Sequence, residues 1–540
     1  MAVRLVGLGG LGEFGANSIL LDGDAGGRVL IDAGAAFSDM AAFGVGFEVP
    51  DFAALGDGVR AVLLTHAHDD HVKGLAFLRE AFPDVEVVGS PTTLAWARRA
   101  LEPGAAAAGR GLRHDGSLPV GGFEVEALPV SHSIPGTVAL RVRAESGALV
   151  VATDLRLAPS ALGETTDADA LAAWGDAGVD VLLLDATNAL VADEPPGEPT
   201  VAAALEEQVA RARGAVVAVS FASQLGRFRQ LALAAANAGR MVVPVGRGLV
   251  EALEVQSALG GLKLPVGVVR PARELPKLPR ERVVVVATGS QGEAGSAFSR
   301  LAVDLLPGLR LRRGDTVLHA ARIIPGNERR LALLFDHCVR RGAHVVTAAD
   351  APIHASGHPH RAELDRLLDL LRPRTVMPVH GRRRNLEALA DLARERRIDT
   401  LVVENGEEVE WSNGGLAPTG ELRQVGRILV DEVGEEVLDA AMLRHRRSLA
   451  REGLVVAVLP CSSSDRGPAS EPQLYFSGMP VATSLHDHLA AGLAAELRRA
   501  GPMARRDPEW LRSTMSRWLR AEVRRRTRRR PVVVALVVEL

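Results

Sequence analysis

Apolar residues in this chain gather into short runs closed by a polar residue or a turn. Ala61-Val62-Leu63-Leu64, Leu149-Val150-Val151-Ala152 and Val181-Leu182-Leu183-Leu184 are followed by Thr65-His66, Thr153-Asp154 and Asp185-Ala186-Thr187-Asn188. Runs this short and this uniformly apolar are those of strands buried on both faces. Helical periodicity falls between them, over 74–81, 92–101, 224–238 and 361–371. Strands alternating with helices predict an α/β sandwich or layered sheet. Residues 191–349 read as an inserted α/β unit, with strands at 216–219, 241–245, 283–286 and 316–318. From about 425 onward, a helix over 437–449, a strand at 454–459, two further helices and a closing strand at 531–540 predict a small α/β domain with an arginine-rich edge.

The opening run Gly7-Leu8-Gly9-Gly10-Leu11-Gly12 satisfies G-x-G-x-x-G, and Asp32 follows at the spacing of a ribose-binding acid. A dinucleotide site needs a helix after the third glycine. Strands at 17–21 and 28–31 predict a meander with a glycine-rich bend instead, which puts Asp32 beside other polar residues as an anchor for a ligand.

The chemistry is concentrated in His66-Ala67-His68-Asp69-Asp70-His71, directly after a buried strand. Imidazole with carboxylate suits Zn²⁺ or Mn²⁺. His66 and His68 can face one ion, Asp70 and His71 a second. His132, Asp154 and Asp185 end or follow further strands and can reach the same place, as can His380 after 375–379. Ser223, Gln224, Ser290 and Gln291 stand at strand ends of the insert, where open α/β sheets bind ligands. Gly357 lies between Ser356 and His358, where backbone N–H groups can approach an anion. The triplet Arg382-Arg383-Arg384 beside such a site favours an RNA-backbone contact.

Composition narrows the classes. The 540 residues exceed one core. Two cysteines, Cys338 and Cys461, exclude a disulfide framework and a cysteine-type zinc site. No apolar run is long enough for a membrane helix, and the start lacks a signal-peptide pattern, so a cytoplasmic protein without a membrane partner is expected. The net charge of −3 confines any nucleic-acid surface to a local patch, built from arginine because lysine occurs only at 73, 263 and 277.

H-x-H-x-D-H with His132 and Asp154 resembles the metallo-β-lactamase superfamily. Gly9-Gly10-Leu11-Gly12-Glu13-Phe14-Gly15, His132-Ser133-Ile134-Pro135, Phe221-Ala222-Ser223, Thr288-Gly289-Ser290-Gln291-Gly292-Glu293, Ile324-Pro325-Gly326-Asn327-Glu328, His354-Ala355-Ser356-Gly357-His358 and Pro378-Val379-His380-Gly381 are similar, in order, to the ribonuclease J family of its β-CASP branch. The resemblance implies a metallo-β-lactamase αββα sandwich (1–190 and 350–425), an inserted β-CASP α/β domain (191–349) and a small C-terminal α/β accessory domain (430–540) that supports a homodimer or homotetramer. It implies a metal-dependent ribonuclease acting in rRNA processing and mRNA decay, with 5′-to-3′ exonuclease action favoured by a 5′-monophosphate on single-stranded RNA, plus endonuclease action.

Two divalent ions are expected per chain. His66, His68 and His132 would bind one, Asp70, His71 and His380 the other, and Asp154 would bridge them, with a hydroxide held between as nucleophile. His358 would stabilise the transition-state charge or protonate the leaving oxygen. His354, Ala355, Ser356 and Gly357 would hold the phosphate from one side, and Ala222, Ser223 and Gln224 from the other. Departures from the family pattern are Thr153 for a glycine, Ala186 for a serine, Gln224 for an asparagine, Arg382 for a glutamate and Asn385 for a histidine. The competing readings are another hydrolase of this fold, such as a thioesterase or lactonase, and a catalytically idle RNA-binding scaffold.

Overall fold

A computed structural model describes residues 2–23, 27–98, 109–112, 114, 116–324, 326–433, 436–463 and 467–540. The alanine-rich stretch 104–108, the tip of the bend at 24–26, the end of the helix expected to 101 and Pro325 lie outside the described residues.

Two compact units are present: Met1–Ala36 with Val49–Arg427, and Phe37–Glu48 with Ile428–Leu540. In the first, one sheet of eight described strands contains Val3–Gly9, Ser18–Gly23, Gly27–Ile31, Val59–Leu64 and Glu86–Gly89. A sheet of seven contains Phe123–Pro129, Val138–Ala144, Gly147–Ala152, Val181–Asp185 and Thr375–Val379. The sheets face each other across one core. Alternation along each strand divides the side chains: Ala61 and Leu63 join Val151, Leu183 and Met377 between the sheets, while Val62 and Leu64 face outward. Leu182 and Leu184 point the opposite way from Leu183, onto helices Arg361–Leu371 and Arg383–Glu395 through Leu364, Leu368, Leu386 and Leu389. Both faces of each sheet are covered, which gives the αββα order and explains why the strands read as unbroken apolar runs.

Residues of the insert form a separate parallel sheet of five described strands in the order Met241–Val245, Val283–Ala287, Val216–Val219, Thr316–His319, His344–Val346. Its helices Glu198–Arg211 and Leu225–Asn237 bury Val201, Leu205, Phe228 and Leu231 in the cluster that also holds Val62, Leu64 and Trp96. One apolar cluster thus ties the insert to the outer layer of the sandwich. In the second unit, Leu454–Cys461, Gln473–Ser477 and Val532–Glu539 form a sheet packed on helices Thr483–Arg498 and Pro508–Thr527.

The stretch expected as a helix over 437–449 is corrected. Val437–Leu438 is a strand residue pair beside Arg427–Asp431, and the helix starts at Ala440 because Asp439 caps it by accepting from the Met442 amide at 2.7 Å. The excursion of Phe37–Glu48 into the second unit is not visible in the sequence pattern.

Leu183 is fully buried between the sheets two residues before Asp185. Leu183→Ala should lower unfolding stability by about 2–5 kcal/mol, read as a lower denaturant midpoint at unchanged slope. An unchanged midpoint would contradict the placement of this core.

Candidate metal centre

Four chain segments meet at the ends of the strands just described. Val59–Leu64 delivers Thr65, His66 and His68, and the short helix Asp69–Val72 then carries Asp70 and His71. His132 follows Phe123–Pro129, Asp154 follows Gly147–Ala152, and His380 follows Thr375–Val379. Parallel pairing sets Ala152 beside Leu184 and Asp185 beside Val379, so three consecutive strands end at one level. Gly34 lets the Asp70 loop approach: a Cβ there would lie 1.7 Å from the Asp70 carbonyl oxygen.

Asp32, Asp154 and His380 all have positive φ, of 61°, 54° and 58°. Side chains other than glycine adopt this conformation at a cost of roughly 1–3 kcal/mol each, and such strain clusters at functional sites. The glycine run belongs to this design and not to a nucleotide: the Gly10 carbonyl accepts from the His380 amide at 2.9 Å and braces its left-handed turn.

The imidazoles are held from outside and converge within. His71 Nδ1 lies 2.7 Å from Asp32 Oδ2, and Asp32 also accepts from the amide and hydroxyl of Thr65 at 2.8 Å each. His132 Nδ1 donates to the Gly357 carbonyl at 2.8 Å. Thr187 Oγ1 is 2.6 Å from His380 Nδ1, and Thr65 Oγ1 is 3.1 Å from His66 Nδ1. Each contact leaves Nε2 of the ring pointing inward, the support that ligating histidines receive in metal sites. His66 Nε2 and His132 Nε2 come within 3.0 and 3.2 Å of His68 Nδ1. Asp154 lies among the rings, its oxygens 3.4–3.9 Å from nitrogens of His66, His71, His132 and His380. Its Oδ2 is buried and accepts no hydrogen bond.

Burial pushes His66 and His132 well below the usual histidine range and His68 down to about 4, the neighbouring rings adding to the effect on His66 and His132. These nitrogens are therefore lone pairs. Burial also opposes charge on His71 and His380. The carboxylates around them outweigh it, Asp154 foremost, raising them to about 9 and about 10. Asp70 is held far below the carboxylate range although burial acts in the other direction, because His71 and His380 flank it. Inward lone pairs, an unpartnered buried carboxylate oxygen and a surplus of buried acid are what a divalent cation would satisfy. The groups His66–His68–His132, His66–His71–Asp154 and Asp70–His71–His380 each bring their ligand atoms within 4.8 Å of one another. The donor set fits divalent metal.

His358 Nδ1 is 2.8 Å from Asp185 Oδ2 and 3.4 Å from Asp154 Oδ1, which turns its Nε2 away from the acids. Ser356 Oγ accepts from the His358 amide and the Asn188 side chain, and the Ser356 carbonyl accepts from Arg156. His354 is half-buried, its Nδ1 shielded and without a hydrogen-bond partner, and desolvation beside the cations Arg227 and Arg322 pushes it to about 3. Ala222 and Ser223 are half-buried at the start of helix Leu225–Asn237, while Gln224 is buried and accepts from Ser220. Ser290 and Gln291 are buried too. Gln291 spends its amide on Arg322 O, Ile324 N and Asn327, and so braces a loop instead of lining open space. Arg383 is paired with Glu387 and Glu404, and Arg382 and Arg384 are exposed. The sequence pattern marks Thr187 and Asn188 only as part of a polar strand end and gives Asn17 and Arg322 no site role; each acts through a hydrogen bond spanning tens to hundreds of residues, for which local spacing carries no signal.

Four family models match the chain: Metallo-beta-lactamase superfamily at residues 11–169, Ribonuclease J, beta-CASP domain at 213–338, Zn-dependent metallo-hydrolase RNA specificity domain at 346–403 and Ribonuclease J C-terminal domain at 441–540. A crystal structure of a protein of unknown function from Enterococcus faecalis V583 shares the fold at TM-score 0.54 and 16% identity, over 76% of this chain and all of that one. Ribonuclease J2 of Bacillus subtilis (strain 168) is 29% identical over 100% of this chain and 99% of its own length. Ribonuclease J of Mycolicibacterium smegmatis is 32% identical over 100% of this chain and 97% of its own. With matches of this extent in all parts of the sequence, the chain belongs to the ribonuclease J family, metal-dependent ribonucleases of the metallo-β-lactamase fold.

Proposed function

We propose that this chain hydrolyses phosphodiester bonds of single-stranded RNA with two divalent ions, Zn²⁺ or Mn²⁺, as a 5′-to-3′ exonuclease favouring a 5′-monophosphate and with endonuclease activity. The observation that carries the reading is the convergence of seven candidate ligands from distant segments, Asp154 among them, with His358 beside them. His66, His68 and His132 would hold one ion, Asp70, His71 and His380 the other, and Asp154 both. Such ions, when bound, acidify water and withdraw charge from the attacked phosphate.

The remaining steps belong to side chains. Asp32 keeps the proton of His71 on Nδ1, and Gly357 does the same for His132. Asp185 orients His358 so that its Nε2 meets the scissile phosphate and can pass a proton to the leaving oxygen. Ser356 Oγ already accepts two hydrogen bonds, so its own hydrogen is left to donate to a phosphate oxygen. Residues 1–190 and 350–425 would form the catalytic sandwich, 191–349 the opposite wall of the RNA slot and 430–540 an accessory domain. The half-buried Ala222 and Ser223 at a helix start suit the far side of that slot.

Purified protein stripped of metal and reloaded with Mn²⁺ or Zn²⁺ should release mononucleotides from 5′-monophosphorylated RNA, with internal fragments marking endonuclease action. Binding without cleavage would support an idle scaffold, and cleavage of a thioester or lactone with RNA untouched would support another hydrolase. Asp154→Asn, a residue that tolerates the same backbone, should reduce cleavage to background at unchanged melting temperature; undiminished turnover would remove Asp154 from the centre. Asp32→Asn should weaken metal affinity or activity about 10- to 100-fold, and a metal titration indistinguishable from wild type would refute its supporting role. His358→Ala should lose activity while retaining its metal content, whereas loss of the ions would reassign His358 as a ligand.

A further inference from the structure

The loop 320–324 leaves the insert's sheet after Thr316–His319 and is fixed where it starts. The Ala320 amide donates to the Val219 carbonyl at 2.9 Å. Gln291 then grips the loop from two sides, donating to Arg322 O at 2.8 Å and accepting from Ile324 N at 2.8 Å. From this braced backbone the Arg322 side chain reaches the sandwich, where its Nη1 donates to Asn188 Oδ1. Asn188 is fully buried, and its Nδ2 donates to Ser356 Oγ at 3.0 Å and to the His358 carbonyl at 3.2 Å. A guanidinium has donors only, so the amide atom facing it must be the oxygen. The nitrogen is thereby turned toward Ser356 and His358. Two constraints thus act on the amide together: the guanidinium demands its oxygen, and the His358 carbonyl demands its nitrogen, since a flipped Asn188 would set acceptor against acceptor.

We infer that Arg322 is a positioning residue for hydrolysis: carried by the insert, it fixes the orientation of the Asn188 amide and through it the Ser356–His358 segment. The inserted sheet then does more than form a wall, because one of its loops completes the support of the phosphate-facing residues. Arg322 touches neither the metal ligands nor Asp154 through any hydrogen bond described. The inference rests on the reading of Ser356 and His358 as substrate-facing groups.

The test is a mutant cycle on the metal-loaded full chain with 5′-monophosphorylated RNA. Arg322→Ala should lower kcat about 10- to 100-fold, the range for a displaced positioning group, at a KM within about twofold of wild type and with unchanged metal content. Arg322→Lys, which keeps a donor, should recover part of the loss. Asn188→Asp keeps an acceptor for Arg322 but cannot donate to Ser356 or His358, and should lose kcat to the same extent as Arg322→Ala. The double variant Arg322→Ala/Asn188→Asp should be no slower than either single variant. Effects that multiply, a loss confined to KM, or full activity of Arg322→Ala would overturn the inference. An inactive wild-type chain would instead overturn the ribonuclease reading on which it rests.

Discussion

Four carboxylates and six imidazoles meet in one cluster, all but His68, Asp70 and His358 buried, and their mutual charge is the constraint around which the rest is arranged. Asp154 and Asp185 are about 1% exposed, as is His71. A buried carboxylate without partners is costly. Here the acids hold protons on His71 and His380, while His66, His68 and His132 are kept neutral by burial. One half of the cluster offers lone pairs, and the other offers carboxylate charge, which holds protons on His71 and His380 that a divalent cation would displace. Left-handed backbone at Asp32, Asp154 and His380 is tolerated because apolar strands on both sheet faces pin the chain on either side.

What the sequence disclosed followed from local pattern. H-x-H-x-D-H after a buried strand marked the centre, and runs ending in acids or histidine placed Asp154, Asp185 and His380 at one end of the sheet, because strand ends are adjacent whenever parallel register is kept; His132 reaches the same end through two successive antiparallel pairings. The G-x-G-x-x-G run leads into no helix, as expected; it is the end of strand Val3–Gly9, a bend at Gly10 and the short strand Leu11–Gly12. Its role in bracing His380 has no local signal, since the bond from the His380 amide to the Gly10 carbonyl joins residues far apart in sequence. The helix over 437–449 was misplaced because helical periodicity there is continuous across Asp439, whose capping bond sets the true start. Ser290 and Gln291 were legible as strand-end polar residues. Spacing gave no indication that Gln291 would be occupied by its own neighbours.

The departures from the family pattern have separate physical accounts. Ala186 sits fully buried in the cluster with Leu182, Leu364 and Leu386, where a hydroxyl would need a partner, so methyl fits its surroundings. Asn385 donates to the Thr187 carbonyl at 3.1 Å and thereby steadies the residue that holds His380. Gln224 reaches back to Ser220 within its own loop. Arg382 is exposed at the start of helix Arg383–Glu395. Nothing in the structure explains threonine at 153, whose buried hydroxyl has no partner.

The claim beneath all of this is that Asp154 stands between two cations. Anomalous diffraction from crystals grown with Mn²⁺ or Zn²⁺ measures it directly. The account predicts two peaks, one among His66, His68 and His132 and one among Asp70, His71 and His380, each within coordination distance of Asp154. A single peak, or ions bound away from Asp154, would contradict it.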